Sequence, residues 1–303
     1  IIVIWPDRSY QRIEQVKFNS VFEVNWKAGL PIFEFEKLSN KPVPTFAFED
    51  VTTRTGLVFK HMENPFVEFN RERLIPNMVS AEGPALAVGD LNGDGLEDVF
   101  FGSCKKHHSA VFYQKKDGSF VKNTPTAIFA DSLFEDVDAV FVDIENDGDL
   151  DLVVAAGGNE FQGTEEAMKQ RYYLNDGKGN LQRADFQGVY MTAACVLPAD
   201  FNKDGLVDFF FGARATPWKY GVTPKSVLLQ NLGNGKFEDV TAKLSPELQQ
   251  AGLVKSGTWA DMDADGDPDL LLAIEWAAPT VFFNENGKFR KVEIQDPQSK
   301  TLT

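Results

Sequence analysis

Asp90-Leu-Asn-Gly-Asp-Gly-Leu-Glu-Asp98 is the first of four nine-residue segments that share one template, D-x-[DNE]-x-D-G-x-x-D. The others are Asp143-Ile-Glu-Asn-Asp-Gly-Asp-Leu-Asp151, Asp200-Phe-Asn-Lys-Asp-Gly-Leu-Val-Asp208 and Asp261-Met-Asp-Ala-Asp-Gly-Asp-Pro-Asp269. The chain holds 25 aspartates, 15 of them in these segments, and the segments contain a single basic residue, Lys203. Like charge at this density repels itself unless something positive sits inside it.

The spacing has a chemical reading. Side-chain oxygens at positions 1, 3 and 5 can converge on one hard cation, and glycine at position 6 permits a sharp turn with positive φ. Position 7 can offer a backbone carbonyl, and the aspartate at position 9 can close the shell. Oxygen donors in this number suit Ca²⁺. The candidate ligands are Asp90, Asn92, Asp94, Leu96 and Asp98; Asp143, Glu145, Asp147, Asp149 and Asp151; Asp200, Asn202, Asp204, Leu206 and Asp208; Asp261, Asp263, Asp265, Asp267 and Asp269. About four Ca²⁺ sites are therefore expected. The alternative is a set of metal-free Asp/Asn/Gly turns. The third loop, with fewest carboxylates and with Lys203, is expected to bind most weakly. Glu145, longer than Asp or Asn, is expected to alter the second.

An EF-hand loop needs Glu at position 12. Here that position is Phe101, Val154, Phe211 and Leu272, each inside an apolar run with strand character. The loops are thus flanked by strands, not helices. They recur at intervals of 53, 57 and 61 residues, which signals a repeat architecture. Each unit reads alike. An apolar strand enters the loop (85–89, 139–142, 193–197, 257–260) and a second leaves it. A third follows (Val111-Phe-Tyr, Tyr172-Tyr-Leu, Val227-Leu-Leu, Val281-Phe-Phe), then a turn rich in Asn, Asp and Gly, then a fourth such as Lys236-Phe-Glu-Asp-Val. Four strands per unit without helical periodicity predict an all-β β-propeller built from four-stranded blades. Inserts at 160–169 and 213–224 are expected to carry short helices or face a partner. Residues 245–251 are expected to form a helical turn with Pro246 near its start.

Composition bounds the rest. The chain has 303 residues, 43% apolar, with 45 acidic against 30 basic side chains and a formal charge of −15. That describes a sizeable core and argues against a nucleic-acid partner, which calls for basic patches. No apolar run is long enough for a membrane-spanning helix. Phenylalanine outnumbers tyrosine 26 to 6, which suggests many buried β positions. Cys104 and Cys195 support no disulfide framework and no zinc site; they can pair, but burial as free thiols is the expectation. The chain opens on Ile1 with no visible signal peptide and reads as an internal piece of a longer or processed protein.

These motifs resemble FG-GAP/VCBS repeats, the calcium-binding blade repeats of integrin-type propellers. Phe48-Glu-Asp-Val-Thr-Thr-Arg-Thr-Gly-Leu-Val-Phe-Lys-His61, Gly83-Pro-Ala-Leu-Ala-Val-Gly-Asp90, Gly157-Gly-Asn-Glu160, Arg171-Tyr-Tyr-Leu-Asn-Asp-Gly-Lys-Gly179 and Thr258-Trp-Ala-Asp261 resemble the cartilage-acidic-protein-like family, which carries an ASPIC/UnbV domain. Ile1-Ile-Val-Ile-Trp-Pro-Asp7 through Val16, with Val21-Phe-Glu-Val24, is similar to the end of such a domain, and by itself reads as strands around a Pro6-Asp7 turn. The expected organisation is an ASPIC/UnbV-like β element at 1–28, a linker at 29–44 with Pro31, Pro42 and Pro44, and blades over 45–303. The resemblance implies about seven blades, more than this length supplies. An incomplete ring is expected, with 46–52 as the outer strand of a blade completed elsewhere; a closed four-bladed ring is the alternative.

The expected function is non-catalytic: a calcium-stabilised extracellular or cell-surface propeller that binds a protein or glycan partner in adhesion or recognition. An accessory subunit of an outer-membrane nutrient-uptake or secretion assembly is the alternative, and bacterial chains of this resemblance look like secreted or surface proteins. A glycosidase or polysaccharide lyase would need a separated acid/base pair in a cleft, and most carboxylates here are committed to the loops. Trp218, Tyr220 and Trp276 are candidates either for glycan contact or for blade packing. His107 and His108 beside Lys105 and Lys106 read as a solvated loop rather than a metal site. His61 reads as a structural hydrogen-bonding residue.

Overall fold

The computed structural model describes residues 1–14, 21, 23–34 and 48–294. The chain divides into two units, Ile1–Val51 and Thr52–Thr303. In the first, β1 (Ile2–Ile4) and β2 (Tyr10–Arg12) pair antiparallel, with Ile4 opposite Tyr10. The expected turn is there: Asp7 Oδ1 accepts both the amide and the hydroxyl of Ser9, at 2.9 and 2.6 Å, and these bonds hold the Asp7 carboxyl below its usual range. Glu23 and Val24 lie outside any strand. Pro42, Pro44 and most of the proposed linker fall outside the described residues.

The second unit opens with a four-residue helix, α1 (Thr52–Thr55). The outer strand expected at 46–52 is not found: residues 46 and 47 lie outside the described residues, 48–51 carry no strand, and Thr52 is helical. The same Phe-Glu-Asp-Val-Thr sequence recurs at Phe237, where it does form a strand against a neighbour. Strand formation at such a short segment is set by the ladder beside it, not by local propensity.

Four antiparallel four-stranded sheets follow, each a simple meander in chain order. The first comprises β3 (Leu86–Gly89), β4 (Asp98–Phe101), β5 (Ala110–Gln114) and β6 (Phe120–Lys122). After α2 (Thr126–Ala130) come β7 (Asp136–Val142), β8 (Asp151–Ala156), β9 (Lys169–Leu174) and β10 (Gln182–Tyr190). The third holds β11 (Thr192–Ala199), β12 (Asp208–Ala215), β13 (Val227–Asn231) and β14 (Phe237–Asp239). Two short helices, α3 (Thr241–Leu244) and α4 (Pro246–Gln249), lead to β15 (Leu253–Ala260), β16 (Asp269–Glu275), β17 (Thr280–Glu285) and β18 (Lys288–Glu293). Ser245 caps α4 by accepting the Leu248 amide at 3.2 Å, with Pro246 in the first turn as its fixed φ favours. The insert expected from 213 begins later, because β12 runs on through the buried Ala213 and Ala215. The insert at 160–169 contributes one 3₁₀ turn, Glu166–Met168.

The inner strands lie side by side, β3 by β7, β7 by β11 and β11 by β15. No comparable packing joins β15 to β3 among the described residues. The core lies between blades. Successive side chains of a strand point to opposite faces. Phe209 and Phe211 therefore join Val153, Ala155, Tyr172 and Phe186 of the second blade. Phe210 joins Val254, Leu270, Leu272 and Phe282 of the fourth. All three phenylalanines are fully buried. Burial on both faces explains the abundance of phenylalanine, and truncating such a ring to alanine costs about 3–5 kcal/mol.

Candidate metal loops and the opposite end of the blades

The four acidic segments are equivalent hairpin connections. The residue before position 1 pairs with position 9 in every blade: Gly89 with Asp98, Val142 with Asp151, Ala199 with Asp208 and Ala260 with Asp269. The position-6 glycines have φ of 85, 95, 87 and 90°, as the template requires. Position 4, unconstrained in the template, is left-handed as well: Gly93 at 74°, Asn146 at 58°, Lys203 at 60° and Ala264 at 64°.

The position-1 carboxylate organises the turn. Asp90 accepts the amides of Gly93, Asp94 and Gly95 at 2.8, 3.1 and 2.7 Å. Asp143 accepts Asp147 and Gly148, Asp200 accepts Asp204 and Gly205, and Asp261 accepts Gly266. Position 3 accepts the position-5 amide through Asn92, Asn202 and Asp263; Glu145 makes no such bond, in keeping with its extra methylene. Asp94, Asp147, Asp204 and Asp265 each accept the amide at position 7, which is Leu96, Asp149, Leu206 and Asp267.

Position 9 sits differently. Asp98, Asp151, Asp208 and Asp269 are buried. One oxygen of each accepts the position-2 amide, from Leu91, Ile144, Phe201 or Met262. The other accepts the amide ending the third strand, from Gln114, Asn175, Asn231 or Asn284. These acids tie the loop base to the sheet, and each oxygen keeps a lone pair beyond that bond. Burial raises Asp98, pushes Asp151 up to about 6 and pushes Asp208 up to about 7.

The donor sets differ in how far they converge. In the fourth loop Asp261, Asp263 and Asp265 bring oxygens within 4.8 Å of one another. In the second, the acids are not gathered that closely, but Asp149 Oδ1 is buried without a hydrogen-bond partner. Burial and the charges of Asp147, Asp143, Asp176 and Glu145 raise the Asp149 carboxyl. The ammonium of Lys203, although in the third loop, pairs with Asp267 of the fourth. Its ammonium thus sits against an acid of the neighbouring loop.

The sequence reading missed a set of side chains that join the loops. Asn175 Nδ2 donates to the carbonyls of Leu91 and Leu150, at 2.7 and 2.9 Å. Asn231 Nδ2 donates to Ile144 and Val207, and Asn284 Nδ2 to Phe201 and Pro268. Each amide thus holds its own loop and the loop of the preceding blade. The visible signal was asparagine ending the third strand in three repeats, where the first has Gln114.

The other end of the blades is organised by the segment preceding β3. Glu68 is fully buried; it accepts the Ser80 amide at 2.9 Å and the Asn159 side-chain amide. Asn159 also donates to Glu72 at 2.5 Å, accepts the Trp218 amide at 2.9 Å, and takes Arg71 on its carbonyl. Glu72 accepts the Tyr220 amide at 2.8 Å. The buried Arg214 pairs with Glu82 at 2.8 Å and lies 2.7 Å from Glu275, and Lys255 reaches Glu82 at 2.7 Å. Beside this network Trp218 and Trp276 are 41% and 69% exposed. Tyr220 packs edge-on against Trp276 and donates its hydroxyl to Glu275 at 2.8 Å. Arg71 lies 4.9 Å from the centre of the Trp218 ring. These aromatics are brought together, and two of them face solvent.

His108 stacks on Phe129 with ring centres 4.0 Å apart, its Nδ1 2.9 Å from the Phe129 carbonyl. His61 lies 2.6 Å from Glu63 through Nε2. Cys104 and Cys195 are buried free thiols, each pushed up to about 12 chiefly by burial. No helix among the described residues is long and apolar enough to cross a membrane.

Residues 90–154, which carry the first two acidic loops, match the FG-GAP-like repeat family. No curated protein matches the chain. Among solved structures the chain is similar to an Agrocybe aegerita lectin described as specifically recognising non-reducing terminal N-acetylglucosamine. Identity is 19% and the TM-score 0.46, over 68% of this chain and 50% of that one. The chain thus spans about half the length of that structure.

Proposed function

We propose that this chain is a non-catalytic recognition module whose acidic loops hold Ca²⁺ and whose blades present binding surface to a protein or glycan. The observation that carries the proposal is the fourfold recurrence of one loop geometry, with negative charge concentrated where little protein cation is supplied. The first-, third- and fifth-position side chains, such as Asp261, Asp263 and Asp265, would hold the ion, with the position-9 acids bracing the loop base. Bound Ca²⁺ would supply charge neutralisation and rigidity rather than reaction chemistry. The setting that fits is extracellular or at the cell surface, where calcium saturates sites with Kd of about 10⁻⁴–10⁻³ M. Each filled site would add about 1–3 kcal/mol at 10–100 times Kd. The family is read as cartilage-acidic-protein-like with an ASPIC/UnbV element, and the full protein as a larger ring of about seven blades. The exposed Trp218 and Trp276, with Glu275 beside Tyr220, form the surface best suited to a sugar ring, which aromatic faces and carboxylates engage together.

The test is metal content by mass spectrometry, paired with thermal melts in calcium and in chelator. About four ions per chain and a large melting shift are expected. No calcium and no shift would reduce the loops to turns. A glycan array with the native chain and Trp276→Ala tests the surface; the variant is expected to lose hits that the native chain gives, and an array blank for both would leave a protein as the partner.

A further inference from the structure

We propose that His61, Glu63 and Glu135 form a binding site for one first-row divalent transition-metal ion of the Zn²⁺ class, outside the acidic loops. His61 and Glu63 come from the segment before the first blade, and Glu135 immediately precedes β7. One ring nitrogen and one carboxylate oxygen from each glutamate lie within 4.8 Å of one another.

The second, independent observation is an unmet bonding demand. Glu135 is 7% exposed, and its Oε1 is buried with no hydrogen-bond partner. Its other support is the Lys105 amide. His61 Nδ1 is also buried and unpartnered, while Nε2 faces Glu63. A buried acceptor normally has a partner, so Glu135 Oε1 marks a place for a group that accepts its lone pair, and a metal ion held between His61 Nε2 and Glu63 would do so.

Charge points the same way. Lys105 is spent on Glu160, at 2.5 Å, and its ammonium lies 4.1 Å from the centre of the Phe161 ring. Its charge is committed there and not to Glu135 or Glu63. A divalent ion supplies the positive charge this corner lacks.

The donor set selects the ion. An imidazole disfavours Ca²⁺ and Mg²⁺, which take oxygen alone, while one imidazole and two carboxylates suit Zn²⁺ and its neighbours. Three protein ligands leave a coordination position for water or an external ligand. Cys104 is not a ligand in this arrangement: it remains a thiol whose S–H donates to the Met62 carbonyl at 2.8 Å, fixing the backbone between His61 and Glu63. The ion would thereby clasp the segment before the first blade to the second blade.

The experiment uses the full chain, stripped with chelator, resaturated with excess Ca²⁺, and titrated with Zn²⁺ by calorimetry. One Zn²⁺ per chain that excess Ca²⁺ does not displace is expected, and Co²⁺ in its place should give visible absorption bands of a nitrogen- and oxygen-ligated site. His61→Ala and Glu63→Gln should each weaken Zn²⁺ at least about tenfold, while a His107→Ala/His108→Ala double variant should bind as the native chain does. Glu135→Gln should abolish binding; its calcium-saturated melt shows whether it folds, and the partly exposed Glu63 serves if it does not. No binding, binding undiminished in both His61→Ala and Glu63→Gln, or binding lost in the His107/His108 variant would overturn the proposal. None of these outcomes depends on how tightly the loops hold calcium.

Discussion

The two ends of the blades are built on opposite plans. At the acidic end the same backbone hairpin recurs four times, with equivalent carboxylates accepting equivalent amides. Each loop is a local solution, written within nine residues and linked to its neighbour by one asparagine. At the other end the side-chain contacts differ from blade to blade. Glu68, Glu72 and Glu82, from one segment before the first blade, reach Asn159, Tyr220 and Arg214, which lie about 90 to 150 positions later in the chain. The contrast teaches that repetition stabilises blades, whereas the non-repeated segment distinguishes one blade from another and creates a surface that only one place in the molecule can offer.

The largest test of that contrast is Asn159→Ala. It strips partners from the buried Glu68, from Glu72 and from the Trp218 amide, and should cost about 3–4 kcal/mol. Hydrogen exchange should rise first around residues 68–82, with calcium uptake unchanged; uniform loosening of all four blades would dissolve the distinction. Next is Asn231→Ala, which leaves the Ile144 and Val207 carbonyls without their amide donor and should cost about 2 kcal/mol in urea unfolding. Its effect should reach the second and third acidic loops together, since one amide serves both.

A pH series sharpens the acidic end. Asp151 and Asp208 hold their protons more tightly folded than unfolded, at about 6 and about 7 against a usual 3.8. The folded state then binds more protons than the unfolded one between about pH 4 and pH 7, so stability in chelator should fall as pH rises through that window. Urea melts at several pH values measure the slope, and a rise over the same window would contradict the assignment. The smallest effect is Ala264→Gly. Ala264 is held at φ 64°, and relief there should stabilise the calcium-free protein by about 1 kcal/mol. The same change made at an ordinary φ would destabilise.

Much of the acidic end could be read in advance. The Asp-x-Asp/Asn-x-Asp-Gly spacing implies carboxylates turned inward around a glycine, and the apolar runs on either side imply strands, because both follow from local geometry. What escaped was the left-handed backbone at position 4, which no side chain signals when the residue is Lys203 or Ala264. The destination of Lys203 also escaped: its ammonium crosses to Asp267, and blade-to-blade proximity is not written in either loop. At the segment 48–52 the local pattern was not enough, since Phe48-Glu-Asp-Val-Thr matches a sequence that is a strand at Phe237, beside a neighbouring strand, and is not one here.

By itself, then, the sequence determined the repeat, its period and the antiparallel meander of each blade. These are set by contacts between residues close in the chain, where spacing carries the geometry. Tertiary structure alone decided that Asn175, Asn231 and Asn284 join neighbouring loops, that Trp218 and Trp276 stand exposed beside one polar network, and that His61 and Glu63 meet Glu135. Those meetings depend on how separate blades and the segment before them pack, and packing obeys the shape of the whole core rather than any pattern along the chain.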